Sequence, residues 1–288
     1  MPEPLSSMKW STEYENYSQT SSQYDETRVQ VGLAFIDEVL ASLGAVDELR
    51  ILDAGCGTGN YINTLRNRVQ NIVGIDLNEG MLKHANQKFH DDPTVTLKRG
   101  SLTEIPCDDG QFDAVMCNQV VHHLADSDAE NRFSRIQIMT NEVFRVLRPG
   151  GAFGLTLSPP EQTENGFWWS LLIPAAVEQM TKRCPATDEI HEMLTNAGFK
   201  IIQTTALKDD VLQGSSYLDP VGPLKSEWRD GDSIWSLVSG CELESATKAV
   251  EAMNSDGTMK AFLEQRESHR HRIGQTTSIF ALRPADPI

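Results

Sequence analysis

The sequence contains no run of apolar residues long enough to cross a lipid bilayer. A membrane-spanning helix needs about 20 such residues, whereas the apolar stretch at 167–173 is short and is followed by Pro174. The opening residues, Met1-Pro2-Glu3-Pro4, also lack the basic and apolar character of a secretion signal. We therefore expect a soluble, cytoplasmic protein with no membrane span.

Cysteine is scarce, and its few copies are scattered along the chain. No two of them form a CxxC pair, and their number is odd: Cys56, Cys107, Cys117, Cys184 and Cys241. This spacing indicates neither a disulfide framework nor a zinc site. We expect no metal site elsewhere either, because the pair Asp108-Asp109 is typical of a solvated turn.

Basic residues are also few. The chain has 25 Lys and Arg against 41 Asp and Glu, for a net charge of −16. Nucleic-acid binding through phosphates needs a basic face, so we expect no nucleic-acid partner. The one local exception, the basic run at 266–272, is typical of a solvated helix end.

Short apolar runs alternate with helical stretches from residue 50 onward. The apolar runs predict buried strands at 51–54, 72–75, 95–97, 112–117, 152–157, 199–206 and 276–283. The stretches between them predict helices at 60–67, 79–89, 131–147 and 188–197, and a further helix at 31–43 precedes the first strand. A turn at Arg148-Pro149-Gly150-Gly151 ends the helix before it. This alternation predicts a mostly parallel sheet with helices on both faces.

The segment after the first predicted strand has glycine at every second position: Asp53-Ala54-Gly55-Cys56-Gly57-Thr58-Gly59. Alternate glycines permit backbone torsions closed to other residues and let a ligand approach the main chain. The free N–H groups of the following helix can meet a polar ligand. A dinucleotide fingerprint would need glycine at position 60, where the sequence has Asn60. The turn therefore disfavours a nicotinamide oxidoreductase.

Asp76 ends the next predicted strand, in Gly74-Ile75-Asp76. A carboxylate at this place can accept hydrogen bonds from both hydroxyls of a ribose. The glycine turn and Asp76 together predict a ribose-containing ligand at the carboxyl edge of the sheet.

Four segments together resemble the class I S-adenosylmethionine (SAM)-dependent methyltransferases, and most closely their ubiquinone/menaquinone-biosynthesis-like group, which methylates small molecules. The segment at 53–59 resembles their motif I, and Gly74-Ile75-Asp76 resembles their ribose-binding acid. The segment at 105–115 resembles the approach to their fourth strand, and that at 147–151 the turn before their fifth. The resemblance covers about residues 10–206 and returns in the last strand.

The resemblance implies a SAM site at the carboxyl edge of the sheet. Asp53 and the backbone of Gly55 and Gly57 would hold the methionine part, and Asp76 would bind the ribose. Leu77 and Met81 would pack near the adenine, and Ser101 stands at the adenine edge where many relatives have an acid. The residues implied in cofactor binding are Tyr17, Tyr24, Arg28, Asp53, Gly55, Cys56, Gly57, Gly59, Asp76, Leu77, Met81, Ser101, Leu102, Asn118, Gln119, Val120 and His123.

The fold class that follows is α/β: a Rossmann-like, seven-stranded, mostly parallel sheet whose last strand is antiparallel. Residues 1–30 are predicted to form an N-terminal helical lid and residues 31–207 the SAM-binding core. Residues 208–274 are predicted to form a helical cap insertion, with one helical stretch over about 242–272, and residues 275–288 the final strand and tail. In open α/β sheets, ligands bind at the carboxyl edge of the strands, which the lid and the cap would cover.

Two adjacent histidines follow the fourth strand. An unperturbed histidine titrates close to neutral pH and can act as a base, so His122 is a candidate catalytic base and acceptor contact. The alternative is that the pair packs a helix or lines the cofactor pocket. Because adjacent side chains point apart, we expect at most one of them to face the site, and the catalytic residues stay otherwise unassigned.

The aromatic residues beyond strand five have two interpretations. Trp168 and Trp169 can form a wall against an apolar acceptor or cradle a cation, or they can anchor their helix to the core. Tyr217, Asp232 and Trp235 lie in the long insertion, where they can contact an acceptor or serve an ordinary folded insertion. We take His122, Trp168, Tyr217, Asp232 and Trp235 as candidate acceptor-binding residues.

The function implied by the resemblance is transfer of a methyl group from SAM to a small molecule, releasing S-adenosylhomocysteine (SAH). The acidic charge and the predicted cap argue against a protein or RNA acceptor, and the intact cofactor residues do not by themselves distinguish an enzyme from a non-catalytic SAM-binding protein. The sequence assigns neither the acceptor, nor the methylated atom, nor the oligomeric state.

Overall fold

A computed structural model of the protein describes residues 28–286. Its centre is a seven-stranded sheet, in the order β3-β2-β1-β4-β5-β7-β6. The strands are β1 Arg50–Ala54, β2 Asn71–Asp76, β3 Val95–Arg99, β4 Phe112–Asn118, β5 Leu147–Leu157, β6 Lys200–Leu207 and β7 Thr276–Leu282. β1 to β5 pair in parallel, and β7 is antiparallel to both β5 and β6. The predicted fold class, with an antiparallel last strand, is confirmed.

Helices flank this sheet and extend beyond it. They are α1 Leu33–Ala41, α2 Asn60–Leu65, α3 Glu79–Phe89, α4 Ser134–Val146, α5 Pro160–Asn165, α6 Pro174–Thr181, α7 Thr187–Asn196, α8 Ser226–Arg229, α9 Gly240–Asp256 and α10 Met259–Ile273. The predicted helix at 79–89 has the predicted bounds, and the others shift by a few residues at their ends.

Two local predictions are wrong. The residues expected to form a turn at 148–151 belong to β5, where they bulge out opposite Asp113: Phe112 pairs with Leu147, but Ala114 pairs with Ala152. The helical stretch predicted over 242–272 is two helices, because Gly257 has φ +80° and ends α9 in the left-handed conformation.

The sheet carries apolar clusters on its two faces, built from β1, β2, β4 and β5 with α1 to α4 and α7. A separate cluster lies beyond the sheet and joins residues 167–184 to residues 211–263. We name it the cap cluster. It includes residues that the sequence assigned to the core, since 167–184 precede β6 but pack against the insertion.

The lid predicted over residues 1–30 falls almost wholly outside the described part of the chain, as do Tyr17 and Tyr24. Only its last residues, 28–30, are described. Within residues 28–286, no helix combines the length and the apolar character that crossing a bilayer requires.

Candidate functional site

The glycine turn after β1 is held against the end of β2 by backbone hydrogen bonds. The N–H groups of Gly55 and Cys56 both donate to the carbonyl of Ile75, at 2.8 and 2.9 Å. The N–H of Gly57 donates to Asp76 Oδ2 at 2.8 Å, and that of Asn78 donates to Asp76 Oδ1 at 2.8 Å. Asp76 therefore fixes the turn, and each of its oxygens can still accept a further hydrogen bond.

The three glycines of the turn are required for different reasons. All have positive φ, which favours glycine. A Cβ on Gly55 would lie 2.5 Å from Val120 Cγ2, and one on Gly59 would lie 2.4 Å from Phe89 Cε2. A Cβ on Gly57 would meet no protein atom within 4 Å. Gly55 and Gly59 thus permit close packing, whereas Gly57 opens onto free space.

That space is part of a cavity of about 110 Å³ at the carboxyl edge of the sheet. Five parts of the chain line it: the segment before α1, the glycine turn with the start of α2, the end of β4, the residues after β5, and the insertion. The lining residues are Arg28, Val29, Gln30, Gly55, Cys56, Gly57, Thr58, Asn60, Tyr61, Asn118, Gln119, His122, Ser158, Thr163, Phe167, Met180, Cys184, Leu212, Asp232, Ser233 and Ile234.

Two acidic side chains lie beside the turn: Asp53 is the second-last residue of β1, and Asp76 is the last residue of β2. Asp53 is buried, and its Oδ2 has no hydrogen-bond partner within residues 28–286. Loss of hydration, with a smaller effect from the negative charge of Asp76, raises the pKa of Asp53 to about 8. Burial also raises the pKa of Asp76, although its backbone hydrogen bonds oppose that shift. A buried carboxyl group without a partner is costly, and a cationic ligand would remove that cost.

The residues predicted to lie near an adenine occupy a neighbouring groove. Leu77 and Ser101 line this groove, which is open to solvent and continues along the residues after β3. Met81 and Leu102 are buried. The Ser101 hydroxyl lies 2.8 Å from that of Thr103, so it is engaged within its own turn.

The end of β4 brings Asn118, Gln119 and Val120 to the glycine turn. Gln119 has φ +56°, the only positive φ of a non-glycine residue in the described chain. Its N–H donates to the carbonyl of Thr156 at 2.8 Å, and its Oε1 accepts from Ser158 Oγ at 3.3 Å. Strained backbone of this kind is concentrated at functional sites, and here it fixes a side chain at the cavity.

The two histidines after β4 differ in their relation to the cavity. Their rings are 4.1 Å apart between centroids, and only His122 lines the cavity. Burial, His123 and the charges of Arg28 and Arg183 hold the pKa of His122 well below its usual value. Burial and Arg183 lower that of His123 to about 3. These effects favour the uncharged ring of His122, which suits an acceptor contact better than a catalytic base.

The segment at 28–32 crosses the cavity as a strap between the core and the insertion. On the insertion side, Arg28 Nε donates to the carbonyl of Gly231 at 2.7 Å, and its NH2 group to Asp232 Oδ2 at 2.9 Å. On the core side, Gln30 Nε2 donates to the carbonyl of Asn60 at 2.9 Å. Arg28, which the resemblance implied in cofactor binding, is thus paired with Asp232 at the cavity wall.

Three of the predicted acceptor contacts lie in the cap cluster and are absent from the cavity lining. Trp168 Nε1 donates to the carbonyl of Tyr217 at 2.6 Å, and the Tyr217 hydroxyl accepts from the N–H of Trp168 at 3.1 Å. Trp235 packs against Trp169, with ring centroids 5.5 Å apart. These aromatic residues hold the insertion together, so the interpretation as an anchor describes them better than that of an acceptor wall.

Sequence reasoning missed much of the cavity wall. Ser158 and Thr163 follow β5, and the rule that ligands bind at the carboxyl ends of strands could have found them. Phe167, Met180 and Cys184 carried no such signal, because only the packing of α5 and α6 against the insertion brings them to the cavity.

Comparison with known proteins identifies a family and several relatives. The family described as "Methyltransferase domain" matches residues 52–155, which span most of β1 to β5. A protein of Mycolicibacterium smegmatis described as an S-adenosylmethionine-dependent methyltransferase is 29% identical over 160 residues, 54% of this chain and 53% of that protein. The demethylmenaquinone methyltransferase of Symbiobacterium thermophilum is 32% identical over 180 residues, 52% of this chain and 67% of that protein. The chain spans about half the length, or less, of the first curated relatives that it matches.

A solved structure matches over more of the fold. An Anabaena variabilis protein, described as a methyltransferase from an antibiotic biosynthesis pathway, superposes with a TM-score of 0.67 at 19% identity. The match covers 89% of this chain and 99% of that one. At this identity the likeness concerns the fold alone.

Proposed function

The chain belongs to the class I SAM-dependent methyltransferases, whose cofactor is SAM, and from this we propose that it transfers the methyl group of SAM to a small-molecule acceptor. The observation that carries the proposal is the free space at Gly57, at the centre of the glycine turn. A turn with that space and with Asp76 beneath it is suited to a ligand that approaches the main chain.

The residues present fit the cofactor. The unpartnered Oδ2 of Asp53 suits the cationic part of a bound amino acid, which restores the charged carboxylate and satisfies it. Asp76 keeps acceptor capacity for ribose hydroxyls while it holds the N–H of Gly57. Leu77, in the adjoining groove, offers apolar contact to the adenine ring of the cofactor.

Bound SAM supplies a methyl group on a positively charged sulfur, which already makes it reactive towards a nucleophile. The chain therefore has to align the acceptor with that group and keep water out. The strap at 28–32 and residues 232–234 cover the cavity, and the ion pair of Arg28 with Asp232 joins them. His122 stays uncharged and can orient an acceptor without carrying its proton.

A cavity of about 110 Å³, lined by the strap and by residues 232–234, supports a small acceptor rather than a protein or RNA. The name of the Symbiobacterium relative, a demethylmenaquinone methyltransferase, is compatible with this class. The excess of acidic residues also disfavours a nucleic-acid acceptor.

Release of SAH tests the proposal. The protein is incubated with SAM and either the dialysable or the macromolecular fraction of a cell extract. We expect SAH release above the blank only with the dialysable fraction, and none in Gly57→Val. Release with the macromolecular fraction alone would contradict a small-molecule acceptor, and a protein that does not bind SAM would contradict the whole proposal.

A further inference from the structure

Three nitrogen atoms of uncharged side chains on the cavity wall are shielded from solvent and lack a hydrogen-bond partner in the part of the chain that the structure describes: Asn118 Nδ2, Gln119 Nε2 and His122 Nε2. We leave Asn118 with the cofactor, as the resemblance implied, and consider Gln119 Nε2 and His122 Nε2. An amide nitrogen can only donate, and the ring nitrogen of an uncharged histidine donates in one of its two tautomers. Buried polar groups are nearly always satisfied, so a ligand that supplies an oxygen would complete this part of the wall.

Five other side chains of the cavity wall are apolar or nearly so. They are Phe167, Met180, Cys184, Leu212 and Ile234, and each is at most 7% exposed. The body of the acceptor therefore contacts side chains that offer shape and apolar surface, while its polar end meets the two nitrogen atoms.

The charges around His122 favour an anion over a cation. The guanidinium groups of Arg28 and Arg183 both disfavour a positive charge on His122. Asp232 also lines the cavity, and its ion pair with Arg28 at 2.9 Å offsets the charges of both partners, so the preference comes from Arg183. No other carboxylate is among the lining residues of the described chain. A cationic amine would meet an unfavourable field at this place, whereas an anionic oxygen would be attracted.

We propose, on the basis of the methyl transfer proposed above, that the acceptor is a small, mainly apolar molecule that reacts through an anionic oxygen, as in a carboxylate, an enolate or a phenolate. Gln119 Nε2 and His122 Nε2 donate hydrogen bonds to that oxygen, and the side chains at 167, 180, 184, 212 and 234 contact its apolar body. This assigns Gln119 to the acceptor, where the sequence had assigned it to the cofactor.

The reaction balances without a base. A lone pair of the oxygen forms the new bond to the methyl carbon while the bond between that carbon and the sulfur breaks, and its electron pair stays on the sulfur. The anion and the sulfonium cation become a neutral methyl ester or ether and neutral SAH. Because the two charges disappear together, a dry cavity favours the step. His122 only positions the oxygen, which agrees with a ring that does not take up a proton.

Binding to the SAH-loaded protein tests this inference apart from turnover. Three probes share one phenyl ring and a two-carbon side chain: phenylacetate, 2-phenylethanol and 2-phenylethylammonium. By calorimetry, we expect phenylacetate to bind at least about tenfold more tightly than the ammonium probe, because hydrogen bonds to a charged oxygen are stronger. Equal or tighter binding of 2-phenylethylammonium would overturn the proposal, as would no binding of phenylacetate to protein that holds SAH.

Variants of the two donor residues test whether these residues cause the preference for phenylacetate. His122→Phe and Gln119→Gly remove one donor each, and glycine keeps the positive φ at 119 without strain. We expect the preference for phenylacetate to fall to within about threefold in both, measured with SAH at a concentration that saturates each variant. His122→Gln, which retains an N–H donor, should restore part of the preference, and the exposed Leu171→Ala should leave it unchanged.

An unchanged preference in both donor variants would contradict the assignment of Gln119 and His122. If the unmodified protein did not bind SAH, this result would instead contradict the proposed function on which the inference rests.

Discussion

Gly57 is the residue at which space for a ligand and backbone conformation coincide. Its φ of +54° is strained for a β-branched residue, and its missing side chain opens onto the cavity. We expect Gly57→Val to lower the affinity for SAM by at least about 100-fold, or about 2.7 kcal/mol, because the valine occupies the space of the ligand. Calorimetric titration with SAM measures this change.

Gly257 offers a matched control for that substitution. It also has a positive φ, of +80°, and a Cβ there would also meet nothing within 4 Å, but it lies between α9 and α10, away from the cavity. Gly257→Val should suffer a similar loss of stability, about 1–2 kcal/mol, and bind SAM normally. If the two variants bound SAM equally well, the glycine turn would not be the cofactor site.

We expect Asp53 to make SAM binding depend on pH. Its pKa in the free protein, about 8, is above the usual value of 3.8, so the free protein holds it neutral at pH 7. A bound cation favours the carboxylate, and binding therefore releases a proton. We expect the affinity for SAM to rise with pH from about 6 to about 7.5, by up to about tenfold per unit, in titrations at several pH values.

Asp53→Asn is the control, because asparagine does not titrate. The variant should bind SAM more weakly and show only the pH dependence that the ligand itself contributes. The same pKa also affects folding. Since the folded pKa lies above the unfolded one, the stability that neutral Asp53 contributes is complete below about pH 4 and is lost as pH rises towards about 8. If the affinity of the wild type for SAM had the same pH dependence as that of Asp53→Asn, this would contradict the assignment of Asp53 to the cofactor.

Residues of the glycine turn could be predicted from the sequence because their roles are local. Asp53, Gly57 and Asp76 follow directly from a strand, a turn and the next strand. Trp168 and Tyr217 could not be placed, since a buried aromatic residue in the cap cluster and one facing a ligand look alike in sequence. The neutral state of His122 depends on burial and on arginines distant in the chain, which no local pattern reveals.

Among the elements, the strap at 28–32 is joined to the insertion by the ion pair of Arg28 with Asp232, and we expect this pair to control access to the cavity. Asp232 is 3% exposed, and its Oδ1 also accepts from the N–H of Ile234 at 2.8 Å. Asp232→Asn keeps that acceptor and removes the charge. We expect association and dissociation of SAM both to become about fivefold faster, for an ion pair that contributes about 1 kcal/mol, as measured by stopped-flow tryptophan fluorescence.

The pair of Lys225 with Asp219, elsewhere in the insertion, provides the comparison. Asp219→Asn removes a similar charge without touching the strap and should leave both rates unchanged. Rates in Asp232→Asn equal to those of the wild type would show that opening of the strap does not limit SAM exchange.

The strands could be predicted from the sequence better than the segments around them. Apolar runs bounded by turns predicted all seven strands. Burial on both faces leaves a clear pattern in β1, β2, β4, β5 and β7, whereas the less buried β3 and β6 were found from short apolar runs between turns. The bulge at 148–151 depends on pairing with β4, and the break at Gly257 on a single residue. The cap cluster joins segments on either side of β6, a contact that tertiary packing alone decides.

At the scale of the whole molecule, the cavity depends on the order of the strands. β1 and β4 are neighbours in the sheet, so the glycine turn and the end of β4 meet although about 60 residues separate them. The position of the cavity agrees with the general rule that ligands bind where an open α/β sheet reverses its strand order, here between β1 and β4. No such rule predicts that the strap and residues 232–234 also line the cavity.

Hydrogen–deuterium exchange with and without SAH tests the central claim that these distant segments form one cofactor site. We expect SAH to slow amide exchange in segments 28–32, 55–61, 118–124 and 231–234 together, because a ligand that binds only the folded cavity stabilises each of its walls. Protection confined to any one of these segments, or found only outside them, would contradict the account.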